Sequence, residues 1–373
     1  MKRLMKVIYL FAGMFLVAVW CSFIPKQIAG PAKFTFPYKK AGLSERQAAA
    51  HLLSRFTYGI KPGDIDKVVK VGLEKWFQQQ LTGHIEDDFL NTQLSAYEDI
   101  NLSNAEVKNK YPRNAQILRM AIADGSINRD SINKHNGKEY RMQLQEYMQK
   151  KGFKPQQELY RQLFSQKILR ATYTNNQLHE LLTDFWFNHF NVSLTKSQSA
   201  IFIPAYERDV IRPNVAGKFH TLLLATAKSP AMLTFLDNST SSAQPILNNR
   251  ENAPLMKKQG GINENYAREV MELHTLGVDA GYTQNDVTQT ARVLTGWSLT
   301  PAGDFVFRPA RHDNAEKIVL GKRFPANGGD NEGVDLLMMF AHHPATAGFI
   351  SKKLATRFVN DHPSAALVNK MAN

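Results

Sequence analysis

The chain has 373 residues, a formal net charge of +13 and a single cysteine, Cys21. Because the rest of the chain lacks cysteine, it has no disulfides, and thiolate metal sites and cysteine nucleophiles are excluded. The basic residues are spread along the sequence rather than gathered with aromatic residues, so a nucleic-acid partner is not expected. Anionic polysaccharide, lipid headgroups or acidic peptides fit this charge better.

Residues 1–30 have the pattern of an export segment. Three basic residues precede an uncharged run from Val7 to Ile24, which approaches the length of a membrane span. A cleaved signal peptide and a retained N-terminal anchor both remain open, and contact with the membrane is expected only through this segment. In either case the remainder is expected outside the cytoplasmic membrane, in the periplasm or anchored to the membrane's outer face.

Residues 31–373 are predicted to form a single helical domain. Ser44 and Gln47 form a predicted capping box at the start of its first helix. The most polar part, residues 83–152, mixes helical pieces with Asn-, Ser- and Gly-rich turns, and we interpret it as a peripheral helical region. The sequence stops inside a helical pattern that begins near Leu367, so we expect the domain to be truncated at its C-terminus.

The predicted helix from Gln177 to Phe190 carries polar residues on both sides. Its apolar face holds Leu178, Leu181, Leu182 and Phe185, and His189 projects from that face near the helix end. The opposite side is lined by Glu180, Asp184 and Asn188.

The stretch from Asn263 to Trp297 is predicted to be a helical hairpin. At about 100° per residue, His274 falls in the middle of an apolar face made of Tyr266, Ala267, Val270, Met271 and Leu273. Gly277 is expected to end the first helix, because glycine takes the left-handed conformation without a Cβ penalty. Thr283 and Asp286 form a second predicted capping box, and the apolar stripe of the helix that follows runs to Trp297.

After Trp297 the chain is punctuated by glycine and proline. Short apolar alternations at Phe305–Phe307 and Ile318–Leu320 predict one small β-hairpin within residues 305–320. Helical patterns return at 333–341 and 344–359. The predicted fold class is therefore all-α or mainly α, an irregular multi-helix bundle with one small hairpin.

Several strings of the sequence recur as motifs of one bacterial family. They are FTYG (Phe56–Gly59), DFWFNHFNV (Asp184–Val192), NENYARE (Asn263–Glu269), ELHTLG (Glu272–Gly277), GYTQ (Gly281–Gln284), ARVLTGW (Ala291–Trp297) and HPATA (His343–Ala347). From about Leu43 to the C-terminus the chain resembles the family called domain of unknown function 1800. The resemblance implies an exported, largely helical protein without an established activity. Such proteins are often encoded beside exported proteins similar in fold to sulfatases, which makes a sulfatase-like protein an expected partner.

The two motif histidines give the main chemical hypothesis. We expect His189 and His274 to meet inside the bundle, joined by Glu269 or Asp184 from a helix flank. Two imidazoles and a carboxylate suit a divalent transition metal, with His189, His274 and Asp184 as its ligands, or a general acid–base pair. The alternative is that each histidine is a core residue whose ring nitrogens bond a backbone carbonyl or water.

Two glutamates are the candidate catalytic carboxylates beside these histidines. Glu269 and Glu272 share one face of their predicted helix and are suited to acid–base work. Arg268 lies on the same face, which favours the alternative of a solvated ion-pair stripe.

Four further residues are the candidate substrate contacts, namely Arg292, Arg55, Asn188 and Trp297. An arginine can bind a carboxylate, sulfate or phosphate through its guanidinium fork, and a tryptophan can stack on a sugar ring. The alternatives are an arginine paired with a carboxylate of the protein and a tryptophan packed in the core.

The sequence contains no phosphate loop, dinucleotide fingerprint, nucleophile elbow or His-Glu-x-x-His motif, so no nucleotide cofactor is expected. Two functions remain. The first is a hydrolase-like envelope enzyme with a buried histidine and carboxylate pocket, acting on an envelope polymer or another anionic substrate. The second is a non-catalytic helical binding or assembly partner of another exported protein.

Overall fold

The computed structural model describes residues 34–128, 137–243 and 261–373. The predicted export segment lies outside these ranges. Helices dominate the described part, which confirms the mainly α class. None of the described helices is both long and apolar enough to cross a membrane.

The helices follow one another with short connections. The α-helices are α1 (Glu45–Phe56), α2 (Asp64–Val71), α3 (Leu73–Thr82), α4 (Asp88–Leu94), α5 (Asn104–Lys110), α6 (Asn114–Ala123), α7 (Gly137–Lys151), α8 (Gln156–Tyr173), α9 (Gln177–His189), α10 (Ser197–Ala200), α11 (Ile203–Ala205), α12 (Phe219–Ala227), α13 (Pro230–Phe235), α14 (Glu264–Glu269), α15 (Gln284–Val293), α16 (Asp330–Ala341), α17 (Pro344–Phe358) and α18 (Ala365–Ala372). Two π-helical segments are π1 (Tyr206–Ile211) and π2 (Val270–His274), and 3-10 turns lie at Glu98–Asn101, Arg212–Asn214, Asn238–Thr240 and Pro309–Arg311.

Both predicted capping boxes are confirmed. The Ser44 hydroxyl accepts from the Gln47 amide at the start of α1, and Thr283 accepts from the Asp286 amide at the start of α15. In each box the backbone amide of the capping residue in turn donates to the side chain three positions later, Gln47 or Asp286. Each box thereby satisfies two amides that a helix start would otherwise leave unpaired.

Within the described ranges the small β structure consists of two hairpins rather than the single predicted one. Strand β1 (Trp297–Leu299) pairs antiparallel with β2 (Phe305–Phe307), and β3 (Lys317–Val319) pairs antiparallel with β4 (Lys322–Phe324). Leu320 and Gly321 both have positive φ, the geometry of a tight two-residue turn. This turn closes β3 onto the next strand in the chain, so the segment near residue 305 pairs back with Trp297–Leu299 instead.

Most buried side chains belong to one large core that contains residues of α8, α9, α12–α16 and both π segments, and Ile350 of α17 packs against it. Two smaller clusters lie apart from it. One belongs to α1–α3 and contains Ala48, Ala49, Leu52, Leu53, Val68 and Leu73. The other lies mainly in α6 and α7, within the polar region predicted to be peripheral, and contains Ile117, Ala121, Ile127, Leu144 and Tyr147.

Helix α9 lies between the two π segments and so positions the candidate site. On one flank, Glu180 accepts from Arg212, which directly follows π1. At its C-terminal end, His189 reaches the carbonyl of His274 at the end of π2. π-Helical turns are rare and are found frequently at functional sites.

Candidate functional site

His189 ends α9 inside a cage of aromatic rings and is only 5% exposed. Trp186, Phe190, Phe219 and Phe349 place their ring centroids 4.5–6.4 Å from the imidazole. Apolar rings replace water around the imidazole on these sides, and this disfavours its charged form.

The end of π2 provides one hydrogen-bond partner for His189. A helix end leaves carbonyl groups without partners inside the helix. The Gly277 amide donates to the Met271 carbonyl at 3.1 Å, and Gly277 turns the chain at a φ of +90°. His189 Nε2 lies 3.0 Å from the carbonyl oxygen of His274. Since a carbonyl oxygen only accepts, the His189 proton is on Nε2, and Nδ1 presents a lone pair.

The structure therefore brings the two predicted histidines together, with ring centroids 6.2 Å apart. The direct hydrogen bond joins the ring of His189 to the main chain of His274 rather than the two imidazoles. The ring of His274 is 6% exposed and packs 5.2 Å from Phe190.

Lys353, which the sequence reasoning missed, provides the second partner of His189. Helix α17 carries it to the site, where its Nζ lies 2.8 Å from His189 Nδ1. The same ammonium lies 5.3 Å from the ring centroid of Phe349. Both nitrogens of His189 are thus engaged. The available signal in the sequence was that this helix begins with the motif His343–Ala347.

Lys353 lines an open groove of about 720 Å³. One wall is the end of α9 with Phe185 and Asn188, another is the turn from Leu276 to Ala280, and the third is α17. This volume is within the range of small-molecule sites. The groove gives a ligand from solvent access to the lysine amine, while His189 lies behind that amine.

Burial shifts the three titratable groups of this cluster toward their neutral forms. The pKa of His274 is lowered to about 3, first by burial and then by the charge of Lys353. Burial, then the charges of Lys353 and His274, lower the pKa of His189 well below its ordinary value. Burial also lowers the pKa of the Lys353 amine. A lowered pKa brings the lysine amine closer to the range in which it can accept a proton from a neighbouring group.

The prediction that Asp184 joins the histidines is wrong. Asp184 accepts from Lys167 at 2.9 Å and from the hydroxyl of Tyr58. The reason is helical periodicity, because positions 184 and 189 are five apart and point about 140° from each other. Among the described residues, no group of three or more His, Cys, Asp and Glu side chains is placed to hold a metal ion. The donors around His189 therefore do not fit the metal site that the sequence predicted.

Glu269 and Glu272 lie beside each other on the half-buried side of the helix but do not line the groove. Burial and the nearby charge of Glu272 raise the pKa of Glu269. Arg268, predicted to pair with this face, instead donates to Gln284 and lies 3.9 Å from Glu264. The structure gives neither glutamate a hydrogen bond to a histidine ring within the part of the chain that it describes.

Of the four predicted substrate contacts, the structure places Asn188 in the groove. Arg292 is paired with Asp313 at 2.7 Å, which matches the alternative interpretation for that residue. Arg55 lies half-buried in the last turn of α1, a position where its charge complements the helix dipole. It does not line the groove.

Trp297 is a core residue, so the prediction that it stacks on a substrate ring is wrong. It is 0% exposed, and it opens β1 instead of ending the helical stripe, because α15 stops at Val293. Gly333 packs so closely that an added Cβ would lie 2.3 Å from the indole. A side chain enclosed in this way is inaccessible to a ligand from solvent.

Comparison with known proteins agrees with the motifs. A family model described as "Protein of unknown function (DUF1800)" matches residues 51–373. Searches of curated proteins and of solved structures give no match. The matched span contains α9, π2 and α17, which supply the groove and its histidines. Since the match covers most of the chain, this protein belongs to the DUF1800 family.

Proposed function

We propose that this protein is a hydrolase-like enzyme of the cell envelope, in which Lys353, positioned by His189, acts as general base and general acid on an anionic substrate. The observation that carries the proposal is the 2.8 Å contact between Lys353 Nζ and His189 Nδ1 at the wall of an open groove. A lysine amine with a lowered pKa is an effective general base near neutral pH, and desolvation is how proteins lower it.

The hydrogen-bond pattern assigns each group a role. The His274 carbonyl fixes the proton of His189 on Nε2, so Nδ1 accepts one N–H of Lys353. A neutral amine held in this way keeps its lone pair for a proton of a water molecule in the groove. The resulting hydroxide attacks the substrate, and the Lys353 ammonium returns the proton to the leaving oxygen. His189 acts as a positioning residue, because it orients the amine without touching the substrate.

The envelope location is supported by the sequence. The basic start and uncharged run of residues 1–30 are typical of exported chains. A positively charged protein in that compartment would meet anionic envelope material. An exported sulfatase-like protein remains the proposed partner, on the resemblance to the family alone.

Chromogenic 4-nitrophenyl esters of phosphate, sulfate and succinate provide a direct test of hydrolysis. We expect the purified protein to hydrolyse at least one of them, and Lys353→Met to abolish this activity. His189→Gln should lower kcat more than it raises KM and should shift the pH profile, since it releases the amine. The matched control is Lys370→Met, which removes an exposed lysine outside the groove and should leave the activity unchanged. Equal activity in Lys353→Met and wild type, with the fold intact, contradicts the proposal.

A second candidate function is a binding or assembly scaffold, and one observation favours it. His189 Nε2 satisfies a helix-end carbonyl, a structural role that needs no substrate. If the scaffold interpretation holds, His189→Gln lowers stability, and no ester in the panel is hydrolysed by the wild-type protein.

A further inference from the structure

The groove that holds Lys353 has more positive charge than the protein itself neutralises. Lys352, Lys353 and Arg357 all line it, and Asp279 is the one carboxylate in its lining among the described residues. Within the same ranges, Lys353 bonds to His189, and the Arg357 guanidinium lies 5.6 Å from the ring of Phe358. In that part of the chain, neither Lys352 nor Arg357, the two cations beside the Lys353 amine, forms an ion pair with a carboxylate.

The rest of the lining is largely apolar. Its members are Phe185, Leu276, Val278, Ala280, Ala345 and Phe349, together with Gly277 and Gly348. Val278 is 63% exposed, and a Cβ added at Gly348 would meet nothing within 4 Å. Apolar side chains beside charged residues in a groove are typical of a binding site.

The two surfaces come from different elements. The cations lie on the last two turns of α17, whereas the apolar turn from Leu276 to Ala280 follows π2. A ligand with only a charge would leave the apolar turn exposed to water. A ligand with only a hydrocarbon chain would leave the cations without partners.

We infer that the groove binds a single-chain anionic amphiphile, with its acidic head group on Lys352 and Arg357 and its hydrocarbon chain along Val278, Ala280 and Phe349. This inference rests on the groove of the proposed function, because it names the substrate class that the Lys353 amine would face. Charge complementarity favours the acidic head group, and burial of the CH₂ groups against the apolar lining stabilises the complex.

Isothermal titration with monomeric decanoate and decyl phosphate tests the inference in the full chain. We expect both ligands to bind. Lys352→Glu and Arg357→Glu should each raise the Kd about tenfold, because each reverses a charge that faces the acidic head group. Val278→Asp, at an exposed position, should weaken the decanoate Kd and leave the fold intact. Lys370→Glu is the matched control, because Lys370 is an exposed lysine outside the groove. This variant should bind both ligands with the Kd of the wild-type protein.

Three results would overturn the inference. The first is that acetate or inorganic phosphate binds as tightly as the ten-carbon ligands. The second is that neutral decanol binds as tightly as decanoate. The third is that the protein binds phosphatidylglycerol vesicles but neither monomeric ligand. Failure here and failure of the proposed enzyme are distinguishable. Decanoate binding without ester hydrolysis contradicts the proposed enzyme activity and supports the proposed ligand. Ester hydrolysis that decanoate does not inhibit contradicts the proposed ligand and supports the enzyme activity.

Discussion

His189 shows how one residue can have two partners of different kinds. Its Nε2 bonds to the main chain of π2 and its Nδ1 to Lys353 of α17, so one imidazole joins three segments that are distant in sequence. The apolar position of His189 in its helix could be predicted from the sequence, because period and residue type determine it. Its partners could not, since a backbone carbonyl has no sequence signature and Lys353 looks like a solvated lysine.

Stability should fall on the acid side because both buried histidines are held neutral. The folded-state pKa of His274 is about 3, below its ordinary value, so the unfolded chain takes up a proton there first as the pH falls. The contribution of each such histidine to the free energy of unfolding is therefore fully present above about pH 6.5. It declines toward pH 3 by up to about 1.4 kcal/mol per pH unit. Urea unfolding measured between about pH 4.5 and 7.5 should give a shallower decline for His274→Met. The exposed His51→Gln variant should keep the wild-type slope, and an unchanged slope in His274→Met contradicts this account.

At the scale of elements, the π turn decides which side chains reach the core. A regular α-helix through Glu264–His274 would bury Leu273, as the sequence phasing predicted. In the structure Leu273 is 47% exposed while Val270 and Met271 are 0% exposed, because the wider π turn changes the phase after Glu269. No pattern of apolar residues indicates such an inserted turn, and this explains why the sequence phasing was wrong for Leu273.

The exposure difference gives a test of the π turn. Leu273→Gln should change the free energy of unfolding by no more than about 0.5 kcal/mol, as at an ordinary surface site. Val270→Gln should cost more than about 2 kcal/mol, because it buries an amide and loses apolar contacts. Chemical denaturation of both variants measures the difference. If Leu273→Gln is the more costly substitution, the helix is regular and the assigned π turn is wrong.

At the scale of the whole molecule, a buried ionic network connects α8, α9 and π1. Arg212 donates to Glu180 and Glu207, and Lys167 donates to Glu207 and Asp184. The capping boxes and the mainly α class could be predicted, since local sequence determines them. This network could not be predicted, because its members come from three segments and pair only after the helices pack.

Removal of Arg212 should leave the buried Glu180 without its cation and Glu207 with Lys167 as its remaining cation. Arg212→Met is expected to cost about 3–5 kcal/mol, the range for breaking a buried ion pair. Arg46→Gln breaks an exposed pair with Asp66 and should cause no measurable change. Thermal and urea unfolding of the two variants provide the comparison. A small effect of Arg212→Met shows that water reaches Glu180 and Glu207.

The central claim is that the Lys353 amine is held in a groove with a lowered pKa, next to a neutral imidazole. Competitive amine labelling over a pH series, read by mass spectrometry, measures the pKa of each lysine in the intact protein. The account predicts that the Lys353 amine titrates below the ordinary lysine value of about 10.4. A Lys353 pKa at or above that ordinary value would contradict it.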